Sequence, residues 1–233
     1  MTFSDQLLNA IGAWQKGWRE NQSLREQLAD DLKKAVCGLP PQFLTVITPC
    51  YRKRFLHKGE LVELILMDHR DEGLVSWTTK REFAEIFKGL YRRDAVSGAI
   101  FRHDPVSTDV VLNIQALWEC SEFVTAAQLY QNRNGENATA LFNFSDNQGE
   151  VVLSAPLRAS EIVALTGASS PFDDLCDGAG IAPAERDQIY RSLLDQGIYP
   201  GEYQYISEEA AQRAISATIK KMHEKISALK IRY

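Results

Sequence analysis

The stretch from residue 43 to residue 167 changes repeatedly between short strand-like runs and helical patterns. Five runs rich in β-branched and aromatic residues are interpreted as strands: "LVELILMD", "SGAIFRH", "DVVLNI", "TALFNF" and "EVVLS". Between them, "FVTAAQLYQNRNGE" is interpreted as a helix that runs into a loop. Because the strands neither alternate regularly with helices nor follow one another without interruption, the pattern predicts an α+β fold rather than a doubly wound parallel sheet.

Two amphipathic helices are predicted before this stretch. Ser4 is placed to cap the first helix, and Ser23 with Glu26 forms a capping box that would open the second. The apolar stripe of the first helix consists of Leu7, Leu8, Ile11, Trp14 and Trp18. Gly38 and Pro40 then end the helical pattern, so residues 1–40 are predicted as an N-terminal helical unit.

Residues 171–233 are predicted as a C-terminal helical extension. The segment "ASSPFDDLCDGAGIAP" has the composition of a surface linker. The last helix is capped by Ser207, and its apolar stripe consists of Ile215, Ile219, Met222, Ile226 and Leu229. Such a stripe either packs on its own domain or binds a partner, and the sequence leaves both open.

Composition and cysteine spacing exclude several classes. A hydrophobic content of 45% is ample for a core, and a net charge of -5 argues against a surface that coats nucleic acid generally. No run approaches about 18 apolar residues, and no basic segment precedes an apolar one at the start, so neither a membrane partner nor export is expected. The scattered Cys37, Cys50, Cys120 and Cys176 form no CxxC pair, which favours a reducing, cytoplasmic setting without a metal site.

The stretch "LVSWTTKREFAEIF" predicts a strand that turns directly into a helix. Thr79 and Glu82 form a capping box. The apolar residues that follow at helical spacing are Phe83, Ile86, Phe87 and Leu90. A corner of this kind exposes Ser76 and Thr78 at the rim of a sheet, where hydroxyl groups either cap the helix or orient a ligand.

Three features that can carry chemistry follow one another in the chain. Arg52 lies in the strand-like "CYRKRF", Ser76 and Thr78 lie at the corner, and Glu150 opens the strand "EVVLS", two residues after Gln148. Read singly, Arg52 suits an exposed basic strand edge and Glu150 a solvated edge residue.

Taken in order, these residues resemble the mono-ADP-ribosyltransferases of the arginine-serine-glutamate class, which include bacterial and phage toxins. The resemblance covers about residues 45–167 and implies a split β-sheet core over residues 41–170, with NAD as the ADP-ribose donor. It implies that Arg52 holds NAD, that Ser76 and Thr78 organise the site, and that Glu150 contacts the nicotinamide ribose as the catalytic carboxylate. Trp77 either flanks the nicotinamide ring or belongs to the core.

The acceptor of the ADP-ribose remains open between a protein side chain and a nucleic-acid base. In the family, Gln at the position of Gln148 accompanies acceptors other than arginine, although "DNQG" is also ordinary turn composition. Basic clusters at Arg52-Lys53-Arg54, Lys80-Arg81 and Arg92-Arg93 suit nucleic acid or exposed surface equally. Strand alternation places Arg52 and Arg54 on the same side, and the Tyr51-Arg52 context favours Arg52 as the NAD ligand.

The resemblance also implies a biological setting, a toxin of a toxin-antitoxin or phage-defence module with a neutralising antitoxin as partner. A different hypothesis keeps the fold without catalysis, as a binding or assembly module that acts through its C-terminal helices. An NAD-dependent removal of phosphate from RNA ranks last, because the additional basic and His residues that it uses are not recognisable.

Overall fold

The computed structural model describes residues 3–17, 21–87, 95, 97–143, 145, 148–166, 172–198 and 205–230. Within these residues the chain forms an open antiparallel sheet of seven strands together with ten α-helices. The α+β prediction is confirmed at this level. None of the helices in the described part of the chain is long and apolar enough to cross a membrane.

The elements have the following bounds. The strands are β1 (Cys50–Leu56), β2 (Val75–Thr78), β3 (Ser97–His103), β4 (Val110–Asn113), β5 (Glu150–Leu153), β6 (Ile162–Thr166) and β7 (Tyr205–Ile206). The helices are α1 (Asp5–Lys16), α2 (Gln22–Ala35), α3 (Lys58–Met67), α4 (Arg81–Ile86), α5 (Ile114–Trp118), α6 (Ser121–Asn132), α7 (Ala138–Asn143), α8 (Phe172–Gly178), α9 (Pro183–Asp195) and α10 (Glu208–Lys230). Short 3-10 helices cover Pro41–Phe43 and Ala159–Glu161.

Two of the runs interpreted as strands are helical. "LVELILMD" lies in α3, because His57 caps this helix and forms a capping box with Glu60, which commits the apolar run to helix. "TALFNF" lies in α7 up to Asn143, and Phe144 is outside the described residues. The interpretation of "SGAIFRH", "DVVLNI" and "EVVLS" as strands is confirmed by β3, β4 and β5.

The N-terminal helices confirm most of their predicted features. Ser4 caps α1 by accepting a hydrogen bond from the Leu7 amide over 3.2 Å, and the predicted stripe is buried through Trp14. Trp18 lies outside the described residues. The cap predicted at Ser23 is wrong: α2 begins at Gln22, and the side chain of Asn21 accepts a 3.0 Å hydrogen bond from the Leu24 amide.

The C-terminal helices differ from prediction at one point. The segment interpreted as a surface linker contains α8, in which Phe172 and Cys176 are buried, so the linker prediction is wrong there. The cap at Ser207 is confirmed, since its hydroxyl oxygen accepts a hydrogen bond from the Ala210 amide over 3.3 Å.

Three residues named in the sequence analysis lie outside the described residues: Leu90 of the predicted helix after the corner, and Arg92 and Arg93 of a basic cluster.

The chain folds into two compact units. Unit 1 comprises Met1–Cys50, Glu72–Phe83 and Asp104–Ala155, and its strands pair in the order β4-β5-β2. Its core joins α1 to β4, β5, α5 and α6. Gly12 allows α1 to pack closely against the segment before α7, because a Cβ at this position would lie 2.5 Å from the Asn137 carbonyl oxygen.

Unit 2 comprises Tyr51–Asp71, Ala84–His103 and Pro156–Tyr233. Its strands follow the order β1-β3-β6-β7, and the β3–β6 pair is antiparallel with an irregularity between Ile100 and Phe101. The first part of α10 packs on β6, which buries Ala211 and Ile215. Both units are built from separated chain segments, and the predicted division at residues 40 and 170 stays a prediction.

Candidate functional site

The pairing of β2 with β5 places Ser76 and Glu150 on the same face of unit 1. Thr78 lies opposite Glu150 in this antiparallel pair, and Ser76 lies opposite Val152. Since side chains alternate along a strand, Ser76 and Glu150 are diagonal neighbours on the face that includes Val152. Val152 belongs to the core cluster formed with α1, so this is the face covered by that helix.

The Glu150 carboxylate accepts two side-chain hydrogen bonds. The Ser76 hydroxyl donates to Oε1 over 2.6 Å, and the Gln15 amide nitrogen donates to Oε2 over 2.7 Å. The Trp14 indole nitrogen donates to the Ser76 oxygen over 2.9 Å. Glu150 is only 8% exposed, so each of these bonds lies in or near the interior.

The indole fixes the direction of this hydrogen-bond chain. An indole N–H can only donate, so the Ser76 oxygen accepts from Trp14 and its own proton points to Glu150. Both Glu150 oxygens are therefore acceptors, an arrangement that suits the ionised carboxylate. Burial nevertheless raises the pKa of the Glu150 carboxyl above its usual range, and the hydrogen bonds from Gln15 and Ser76 only partly oppose this effect.

The turn that precedes Glu150 is fastened to the end of β2. The Thr79 amide donates to the Gly149 carbonyl over 2.9 Å, and the Thr78 hydroxyl donates to the Gln148 carbonyl. Gly149 has φ of +58°, a conformation that suits glycine. A Cβ on Gly149 would lie 2.4 Å from the Thr79 hydroxyl oxygen, so glycine also permits this close approach.

The two threonine hydroxyls of the corner hold its shape. The Thr78 oxygen accepts from the Lys80 amide over 3.0 Å, in the manner of a local side-chain turn. Thr79 does not serve as the predicted cap: α4 begins at Arg81, and the Thr79 hydroxyl donates to the Gln115 side chain over 2.7 Å. The two hydroxyls thus connect β2 to the turn before β5 and to α5.

Five of the six predicted site residues lie in unit 1, and four of them come together. Ser76, Thr78, Gln148 and Glu150 are joined through the contacts of the β2–β5 corner. Gln148 is half-buried, and the atom that contacts Thr78 is its backbone carbonyl oxygen. Trp77 points to the opposite face of β2 and is 2% exposed, so the structure does not bring it to Glu150.

Arg52, the sixth residue, lies on β1 in unit 2. It is half-buried and shares one face of the strand with Arg54. Lys53 points to the other face and is buried, where its ammonium group donates to the Glu85 carbonyl over 3.1 Å and lies over the Tyr205 ring at 5.5 Å. The three consecutive cations of β1 are therefore not equivalent.

Sequence reasoning does not connect Trp14 or Gln15 with this site. Trp14 falls in the predicted apolar stripe, and its indole nitrogen is the polar handle that such a residue carries into a core. Gln15 follows Ile11 by four residues, so it borders the buried face of α1. A polar side chain beside a buried helix face is therefore the one sequence signal that could have pointed to Gln15 as part of a polar site.

The cysteine and histidine side chains considered next are less suited to a catalytic role than Glu150. Burial raises the pKa of the Cys50 thiol to about 12, so this cysteine stays protonated and unreactive at neutral pH. His57 caps α3, and His103 forms a 2.8 Å pair with Glu161. Among the described residues, no group of three or more acidic, His or Cys side chains could hold a metal ion.

Comparison of the chain with protein-family models, with curated proteins and with solved structures gives no match to any of the three.

Proposed function

We propose that the chain is an NAD-dependent mono-ADP-ribosyltransferase, a glycosyl-transferring enzyme with an ADP-ribosyltransferase-like split-sheet core. The observation that carries the proposal is the 2.6 Å hydrogen bond from Ser76 to the buried Glu150 carboxylate. These are the serine and glutamate of the sequence resemblance, 74 residues apart in the chain. Each motif of the resemblance is short, and the contact between two of them supports treating them as parts of one site.

NAD would supply the ADP-ribosyl group: its bond to nicotinamide breaks, nicotinamide leaves, and the acceptor nucleophile bonds to the ribosyl carbon and gives up a proton. Because positive charge develops on the ribose during this exchange, a fixed carboxylate nearby stabilises the transition state. Glu150 is suited to this role, since donors from two separate elements hold its oxygens. Ser76 would aim the carboxylate, and Thr78 would keep the corner in place.

Arg52 is assigned the diphosphate or ribose of NAD on the basis of the resemblance. A guanidinium group can bind phosphate oxygens through two parallel hydrogen bonds, which a lysine cannot do. Trp77 is a weaker candidate ligand, because it is buried on the opposite face of β2 from Ser76.

The acceptor is a macromolecule, either a protein side chain or a nucleic-acid base. Gln148 would contribute to its choice, since it lies two residues before Glu150 on the turn held by Thr78. A toxin that acts inside the cell, with a neutralising antitoxin as partner, is the setting that the resemblance supports.

The first experiment measures nicotinamide release from NAD by the purified protein and by Glu150→Gln. We expect release by the native protein and a loss of about 10²–10³-fold in the variant, the usual cost of removing one electrostatic stabiliser. The matched control is Glu26→Gln, because Glu26 accepts a 2.8 Å bond from Gln22 at the surface. Circular dichroism and thermal unfolding verify that each variant is folded.

The second step adds labelled NAD and cell lysate, followed by protease or nuclease digestion. The digestion that removes the macromolecular label identifies the acceptor class. If neither the native protein nor Glu150→Gln releases nicotinamide or transfers label, the enzyme proposal is wrong.

The second candidate function is a binding or assembly module that acts through the C-terminal helices. It is favoured by the apolar stripe of α10, which changes from buried Ile215 to Ile226 and Leu229, exposed at 48% and 60%. A shallow, open depression lies on one face of this helix, and the α10 residues that line it include Ile219 and His223. Such a module would neither bind NAD tightly nor release nicotinamide, so the first experiment distinguishes it from the enzyme.

A further inference from the structure

We infer that Gln15, on helix α1, is a positioning residue of the candidate site and orients the Glu150 carboxylate for reaction. The inference rests on the proposed function for its catalytic part, whereas the contact itself is a property of unit 1. It makes the N-terminal helix a component of the site rather than an attachment to the core.

Two donors together define the orientation of the carboxylate. Ser76 holds only Oε1, and a carboxylate held at one oxygen can still rotate about its last bond. The bond from Gln15 to Oε2 fixes the second oxygen and therefore the plane of the group. Orientation of this kind is what a reacting carboxylate needs, because small displacements of a catalytic group lower the rate strongly.

The oxygen of the same Gln15 amide group has a different environment from its nitrogen. This oxygen, Oε1, is buried without a hydrogen-bond partner in the described part of the chain. A buried unpaired acceptor is unfavourable, and the contact with Glu150 has to offset this cost. The amide keeps its donor on Glu150 despite this cost.

The backbone of α1 places Gln15 rigidly. Trp14, its neighbour, is 2% exposed and donates to Ser76, so consecutive residues of one helix contact both members of the candidate pair. The helix is packed through Leu8 and Ile11, which are almost fully buried, and through the close approach at Gly12. Its position is therefore set by core packing as well as by polar contacts.

The test uses the full chain with Gln15→Met, which keeps the side-chain length but removes both polar atoms, and Gln15→Glu, which when ionised has no donor and places a second negative charge beside Glu150. The control is Gln22→Met, since Gln22 makes the same kind of bond to a glutamate at the surface. Two readouts are used: the Glu150 pKa from carbon NMR of labelled glutamate side chains without NAD, and the pH profile of nicotinamide release.

We expect both Gln15 variants to raise the Glu150 pKa and to lower kcat by about tenfold or more at neutral pH, the cost of a hydrogen bond to a charged group. KM for NAD should change less than kcat, and the pH profile should move to higher pH. Gln22→Met should behave like the native protein in both readouts.

The outcomes separate this inference from the proposed function. If the native protein releases no nicotinamide, the proposed function fails, and the NMR measurement alone decides whether Gln15 controls Glu150. An unchanged Glu150 pKa in Gln15→Met would overturn the inference. Faster nicotinamide release by Gln15→Met would also overturn it, because Gln15 would then obstruct the carboxylate rather than position it.

Discussion

The Ser76 hydroxyl joins the Trp14 indole to the Glu150 carboxylate. Its replacement by alanine leaves a buried indole N–H and a buried carboxylate each with one hydrogen bond fewer. We therefore expect Ser76→Ala to lower the free energy of unfolding by about 1–3 kcal/mol, the cost of leaving buried polar groups unpaired. Urea unfolding at neutral pH measures this change.

The matched control for this prediction is Ser121→Ala. The Ser121 hydroxyl also donates to a glutamate, Glu122, over 3.2 Å, but at an exposed position. Loss of this surface contact should change the free energy of unfolding by less than about 0.5 kcal/mol. Equal losses in the two variants would show that burial of the Ser76 contact has no energetic importance.

The raised pKa of Glu150 makes a prediction about the pH dependence of stability. Between the ordinary glutamate pKa and the raised pKa of the folded state, the folded chain binds more protons than the unfolded chain, so this group's contribution to stability falls as pH rises. Glu150→Gln removes the effect, and its side chain can pair with Gln15 after the Gln15 amide turns over.

We therefore expect Glu150→Gln to gain stability relative to the native protein as pH increases through this window. The measurement is the difference in free energy of unfolding between the two proteins from about pH 4 to pH 8, a range that begins near the ordinary glutamate pKa. Glu26→Gln controls for the loss of one negative charge. A difference that stays constant or decreases with pH would contradict the prediction.

The Ser76–Glu150 pair can be proposed from the sequence only through the family resemblance, which links a strand-to-helix corner to a turn before a strand. Their contacts with Trp14 and Gln15 cannot, since these depend on how α1 packs against a strand more than sixty residues away. A stripe of apolar residues shows that a helix is covered, but it does not show by what.

At the scale of elements, the corner between β2 and β5 depends on a glycine that has two separate requirements. Gly149 has a positive φ and also lies against the Thr79 hydroxyl, whereas Gly73 has a φ of +63° and open space around an added Cβ. We expect alanine to cost about 1–2 kcal/mol at either position through backbone conformation. At Gly149 crowding should add about 1–3 kcal/mol.

Chemical unfolding of Gly149→Ala and Gly73→Ala measures the difference between them. Nicotinamide release by Gly149→Ala should also fall, because the turn that places Glu150 must shift. Similar losses of stability in the two variants would mean that Thr79 moves aside without cost.

Element types are predictable where local signals agree, and prediction fails where an apolar run has no clear period. "SGAIFRH" is bounded by turn residues and rich in β-forming side chains, and it forms β3. "LVELILMD" is equally apolar, but it is helical because the capping box of His57 and Glu60, just before it in the chain, starts helix α3. Histidine is an unusual cap, so this signal is weak in the sequence.

At the scale of the whole molecule, the division into two units allows a test of whether residues 41–170 fold independently. A fragment with these bounds lacks α1, which supplies Leu7, Leu8, Ile11 and Trp14 to the core of unit 1. It also lacks α10, which covers β6 in unit 2. We expect the fragment to show no cooperative unfolding, because each unit loses a helix that buries its apolar face.

Differential scanning calorimetry and the dispersion of amide NMR signals compare this fragment with the full chain. A fragment that unfolds cooperatively would establish the central region as a separate domain and the terminal helices as additions. The sequence cannot decide this point, because composition marks where helices occur but not which core they complete.

The contacts around Glu150 connect residues that are 62, 74 and 135 positions apart in the chain. During synthesis α1 and β2 are therefore made long before the carboxylate that they hold. A nascent chain or a truncated product that stops before β5 contains both Gln15 and Ser76 but has no carboxylate between them. The proposed activity would therefore arise only after β5 has been made and has paired with β2.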